Sequence, residues 1–127
     1  MRFALPCFPA EFEIPNEWWI ESGMQGFEVN GTAFRSLDDA VQVPLQNIEP
    51  PFRLVTYPKD WRGFDRSRLV SVLNGIATGA TIDPVPVSAI ALTEYPRSPF
   101  EYRVRNGYHR FYASIAAGFE YLPVEIL

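Results

Sequence analysis

His109 and Arg110 open an alanine-rich run directly after Asn106-Gly107 and Tyr108. His109 is the only histidine of the 127 residues, so any imidazole chemistry rests on it. Asn-Gly tolerates the positive φ that a sharp reversal needs. A helix starting just after such a turn has first-turn N–H groups without intrahelical acceptors, and its dipole favours negative charge there. Cations in that turn are mildly unfavourable unless an anion visits. The segment Gly107–Arg110 therefore predicts a phosphate-type anion site, with the amides of Tyr108, His109 and Arg110 as oriented donors. Arg110 is expected to grip oxygens bidentately. His109 is expected to donate when protonated, since its ordinary pKa of about 6.5 is easily raised by an anion. The plainer alternative is a common strand–turn–helix unit whose His and Arg are only solvated.

These residues need elements to hold them. Tyr102 and Val104 alternate with Arg103 and Arg105, as in a short strand, and Gly118 marks the stop of the helix. Leu122 to Leu127 reads as the last strand. Upstream, Asp65 caps a helix with Leu69, Val72, Leu73 and Ile76 on its buried face and Gly79 at its end. Val41 to Leu45 predicts a strand with Pro44, which lacks an amide donor, at a sheet edge or at the strand's end, and Ile48 to Arg53 a stiff, extended exit. Residues 54–64 read as an irregular, exposed loop, Asp83 to Val87 as a lead into a strand over 88–92, and 93–101 as a turn. In the first third, a short strand surrounds Phe12 and Ile14, and Asn16 caps a brief helix through Glu21 with Gly23 as stop. Asn30-Gly31 predicts a β-hairpin joining Phe27-Glu28-Val29 to Thr32-Ala33-Phe34. Of Trp18 and Trp19, one is expected in the core and the other over the sheet or a partner. Residues 36–40 form a polar connection or one helical turn.

The composition narrows the classes. With 47% hydrophobic and 15% aromatic residues the chain can bury a core. A net charge of −4 argues against a partner bound through non-specific nucleic-acid contacts. One cysteine, Cys7, permits neither an internal disulfide nor a cysteine zinc cluster, and no metal ligands are assigned. No run reaches the roughly 18 apolar residues of a membrane span. Met1 to Pro6 lacks a signal peptide's apolar core, so a soluble cytoplasmic protein is the expectation.

The stretch Val104 to Val124, with Asn-Gly-Tyr-His-Arg-Phe-Tyr-Ala-Ser, Gly118 and Leu122-Pro123-Val124, resembles the signature of the ParB/sulfiredoxin superfamily. Val43-Pro44-Leu45-Gln46-Asn47-Ile48-Glu49-Pro50 and the helical run from Asp65 to Gly79 fit in the same order. The resemblance implies an α+β fold: a small mixed β-sheet with two principal helices over 41–127. Residues 1–40 add a hairpin and short helix within one domain. It also implies that the Gly-x-His-Arg turn holds the phosphates of a nucleotide of ATP or CTP type, with or without Mg²⁺. By register with sulfiredoxins, Arg68 and Ser71 supply a basic residue and a hydroxyl, although Gly75 replaces a second hydroxyl. Arg53 lies in the segment beside the nucleotide in relatives and is a candidate second phosphate contact.

Several departures limit the reaction. Tyr108 stands where sulfiredoxins carry their cysteine, which excludes their reductase activity. ParB proteins use a Gly-x-Arg-Arg turn and append a helix-turn-helix domain, for which the sequence leaves no room. Phe52 occupies about the place of the catalytic glutamate of serine-kinase relatives, leaving Glu49 as the nearest carboxylate and candidate base. Two classes follow. One is a small NTPase or phosphotransferase using His109 and Arg110, with Glu49 or Asp65 available for Mg²⁺ or a proton. The other is a non-catalytic regulatory module of a mobile element or toxin–antitoxin pair, meeting a protein partner through Trp18, Trp19 and Phe27. A DNA-binding or nuclease role comes third, without an evident two-metal carboxylate cluster.

Overall fold

The computed structural model describes residues 1–6, 10–52, 63–94 and 96–127. Cys7, the phosphate contact expected of Arg53 and most of the loop expected over 54–64 lie outside them. The described residues are mixed α and β: a five-stranded sheet, a two-stranded sheet and three α-helices.

The small sheet pairs β1 (Arg2–Ala4) with β2 (Glu11–Glu13) in antiparallel register, Phe3 opposite Phe12. The large sheet comprises β3 (Val41–Pro44), β4 (Ile48–Glu49), β5 (Val85–Ala89), β6 (Tyr102–Val104) and β7 (Tyr121–Ile126). Its spatial order is β3-β7-β5-β6-β4, so β3 and Pro44 do sit at an edge. The outer pair β3/β7 and the inner pair β5/β6 are antiparallel, whereas β5/β7 and β4/β6 are parallel. Parallel partners need crossovers. The helix α2 (Arg66–Thr78) falls between β4 and β6 in the chain, and α3 (Tyr108–Ala117) between β5 and β7.

Local chemistry accounts for both long helices. The Asp65 carboxylate accepts the N–H of Arg68, and Gly79 ends α2 in the left-handed region at φ 71°. Leu69, Leu73 and Ile76 form the buried stripe, with Val72 half-buried at its side. Gly118, at φ 94°, ends α3 in the same way. Alanine at 113, 116 and 117 lets α3 bury most of its surface against α2 and the sheet.

The first 40 residues share this core. Phe12, Ile14, Trp18, Met24 and Phe34 belong to one buried cluster with Leu69, Phe111 and Val124. Trp18 is 5% exposed, while Trp19 is half-buried against Phe3, with ring centroids 5.5 Å apart. Phe27 is also half-buried against the cluster. The turn over residues 36–40 is present, closed by the Ala40 N–H on the Leu37 carbonyl.

Four local expectations are corrected. The hairpin over 27–34 does not form. Its backbone partners lie elsewhere: the Thr32 carbonyl accepts from Glu120 and Tyr121, and the Arg35 carbonyl from Ile82. Phe27 and Phe34 still reach the core, but from backbone bonded to other segments, and Val29 is left exposed. Asn16 does not cap α1 (Asn16–Glu21) but is its first residue, because the Pro15 carbonyl already accepts from Trp18 and Trp19. The strand expected over 88–92 lies at Val85–Ala89 instead. Pro86 there needs no donor of its own, and its carbonyl accepts the Arg105 N–H at 2.9 Å. Phe64, expected in an exposed loop, is fully buried against Phe12, Tyr108 and Tyr112. Burying such a ring contributes about 1.5–3 kcal/mol, which outweighs any loop-like tendency of its flanks.

Candidate phosphate-binding cleft

Gly107 fixes how β6 turns into α3. Its φ of 147° suits glycine, and a Cβ there would stand 2.6 Å from Val85 Cγ1. The turn thus lies against β5, and the start of α3 faces the first turns of α2 across a cleft of about 760 Å³. Gly107, Tyr108, His109 and Arg110 line one side of it, with Asn106. Arg68 and Ser71 line the other, with Ser67 and Val72. Positions 67, 68, 71 and 72 share a helix face because three- and four-residue spacings return to the same side. Phe52 and Gly63 complete the described wall. No acidic residue is among the described residues lining it.

Six of the expected site residues therefore meet: Gly107, Tyr108, His109, Arg110, Arg68 and Ser71. Glu49 does not line this cleft. It stands opposite Arg103 on the neighbouring strand and accepts from that guanidinium at 3.0 and 3.3 Å. Asp65 is also committed. Its Oδ1 accepts from the Arg68 amide at 3.1 Å and the Ser67 hydroxyl at 3.2 Å. The Arg68 amide, chiefly, holds its carboxyl below the ordinary value of 3.8.

Arg110 departs from the bidentate role. Its Nη1 donates to the carbonyls of Asp83 and Pro84, and its Nη2 to that of Asn106, each at 3.0 Å. The guanidinium thereby clasps the lead into β5 and the turn before α3. Desolvation lowers its pKa, partly opposed by the charge of Asp83. With three donors engaged, its contribution to an anion is positive charge and position.

His109 also differs from expectation. Its Nε2 accepts the backbone N–H of Asp65 at 3.0 Å. A neutral imidazole accepting at Nε2 carries its hydrogen on Nδ1, so the ring can donate without being protonated. Phe64 and Tyr108 pack beside the ring, the latter edge-on at 5.1 Å.

Sequence reasoning missed Ser67, Val72, Asn106, Gly63 and Phe52 as wall residues. Arg68 and Ser71 follow from the register with sulfiredoxins, and helical spacing around those two positions brings Ser67 and Val72 to the same side. Phe52, which the resemblance puts at about the place of a catalytic glutamate, arrives on the exit of β4, the neighbour of β6. Among the described residues, the cleft offers an anion the exposed guanidinium of Arg68, the hydroxyl of Ser71 and the start of α3, while the Ser67 hydroxyl is engaged by Asp65. No carboxylate is among the described residues lining it, although that of Asp65 stands behind the Ser67 hydroxyl and the Arg68 amide. Compared with known proteins, the chain matches no family model, no curated protein and no solved structure.

Proposed function

We propose that the cleft binds the phosphate groups of a nucleotide, in the service of an NTPase or phosphotransferase. One observation carries this reading: Arg68, Ser67 and Ser71 face the start of α3 across a single cleft with no described acidic lining residue. Gly107, at the N-cap of α3, makes no side-chain cap hydrogen bond to it. The ParB/sulfiredoxin-like resemblance of residues 41–127 belongs to the same proposal. It supplies the nucleotide class, because such turns hold nucleotide phosphates in those relatives.

Within this reading Arg68 is the primary charge contact and the α3 amides orient the phosphates. His109 donates through Nδ1–H and Arg110 holds the turn in place. Glu49 is not at the cleft, and His109, whose Nε2 is taken by the Asp65 N–H, serves there as a donor and not as a base.

Isothermal titration of the full chain with ATP, ADP, CTP, GTP and tripolyphosphate, with and without Mg²⁺, tests the binding. Phosphate release measured on the same samples tests turnover. Arg68→Ala is expected to weaken every phosphorylated ligand by tenfold or more, on the order of one lost charge-assisted contact. Absence of heat with all five ligands, together with an unchanged Tm, would remove the proposal.

A further inference from the structure

Phe52 is 82% exposed, the most exposed large apolar side chain among the described residues. Exposure alone decides nothing, since single apolar side chains are common on protein surfaces. Its place and its attachment do. Phe52 lines the same cleft as Arg68 and the start of α3. The residues before it are Pro50 and Pro51, whose φ is fixed by their rings. The hydroxyl of Tyr112, a residue buried in α3, donates to the Pro51 carbonyl. The backbone adjoining this exposed ring is thus tied to the helix whose start faces the cleft.

The wall carries polar and apolar groups together. Ser67, Arg68 and Ser71 with the α3 start are polar or cationic, while Phe52 and Val72 are apolar. Its volume of about 760 Å³ exceeds what a lone phosphate fills and falls within the ~300–1,000 Å³ of small-molecule sites. A ligand matching both kinds of group carries phosphate and a flat aromatic group.

We propose that Phe52 is the platform on which the base of a bound nucleotide stacks. This rests on the phosphate-binding reading of the same cleft. Stacking on a phenyl face tolerates any base, so the platform selects nucleotides over non-aromatic phosphates rather than one base over another.

The test titrates the full chain, Phe52→Ala, Phe52→Trp and Arg68→Ala with ATP and with inorganic tripolyphosphate. Phe52→Ala is expected to weaken ATP about 10- to 100-fold and to leave tripolyphosphate within about twofold. Phe52→Trp is expected to restore ATP binding and to lose tryptophan emission as the base stacks. If Phe52→Ala binds ATP like the parent while Arg68→Ala weakens both ligands, the platform is refuted and the phosphate site stands. Equal weakening of both ligands by Phe52→Ala also refutes the platform, because the ring would then be structural. Failure of the parent chain to bind either ligand overturns the platform and the phosphate site together.

Discussion

The backbone N–H of Asp65 donates to Nε2 of His109 at 3.0 Å, which pins the start of α2 to the first turn of α3. The two helices that wall the cleft are therefore joined at the cleft itself. His109→Ala leaves the part-buried Asp65 N–H without this acceptor and is expected to cost about 1–3 kcal/mol. Denaturant unfolding measures that loss. Nitrogen chemical shifts of the parent imidazole should report hydrogen on Nδ1, and hydrogen on Nε2 would contradict the contact.

Asp65 gives a pH prediction. Its folded pKa is depressed below 3.8, chiefly by the Arg68 N–H it accepts. A depressed carboxylate contributes stability that is complete above its unfolded pKa and lost as pH falls through the lower folded value. Asp65→Ala should cost about 0.5–2 kcal/mol near neutrality, the ordinary range for a helix N-cap. The gap between parent and variant should stay constant down to about pH 5 and narrow below about pH 4. Unfolding curves across that range check it, and a gap unchanged at pH 2 would exclude the carboxylate as its source.

Gly107→Ala places a methyl 2.6 Å from Val85 Cγ1 at a φ that side chains rarely adopt. The expected loss is about 1–3 kcal/mol. Adding Val85→Ala removes the clash but not the backbone strain. A double-mutant cycle should then give less than additive destabilisation, whereas strict additivity would mean the two groups do not meet.

Arg110 and Arg68 should separate cleanly. Arg110→Ala removes three hydrogen bonds to carbonyls and is expected to lower stability by about 2–4 kcal/mol. Arg110→Lys should recover little, since a single ammonium cannot span the same carbonyls. Arg68→Ala is expected within about 0.5 kcal/mol of the parent in stability, because its side chain is exposed. It should nevertheless abolish any rise in Tm with phosphorylated ligands, whereas retention of that rise would exclude Arg68 as a contact.

Glu49→Gln tests the reassignment of that carboxylate. Its pair with Arg103 is 38–40% exposed at the side chains, so the coupling should be no more than about 1 kcal/mol. Nucleotide binding should match the parent. A fall in turnover with binding intact would return Glu49 to the chemistry.

The cleft was partly legible in the chain. Asn106-Gly107, the alanine-rich run and Gly118 are local signals, and β6, the turn and α3 form where they indicate. The Asp65 cap and the spacing of Leu69, Leu73 and Ile76 likewise yield α2 and the face bearing Arg68 and Ser71. The hairpin and the strand of residues 88–92 are misplaced for one cause. Asn30-Gly31 and the prolines around Val85 are strong local punctuation, yet partners distant in sequence overrode them. Thr32 is bonded to Glu120 and Tyr121, and Pro86 to Arg105.

By itself the sequence determined which residues could start and stop helices, and that a glycine turn would present His109 and Arg110 at one of those starts. Propensity, capping and φ are properties of neighbouring residues, so they can be read in order. Only the tertiary structure decided what these side chains do. Arg110 reaches the carbonyls of Asp83 and Pro84, His109 receives the amide of Asp65, Glu49 pairs with Arg103, and Tyr112 holds Pro51 beside Phe52. A long polar side chain takes the partner that packing delivers to it. Packing brings together segments separated by 26 to 61 positions in these contacts, a relation that spacing along the chain does not encode.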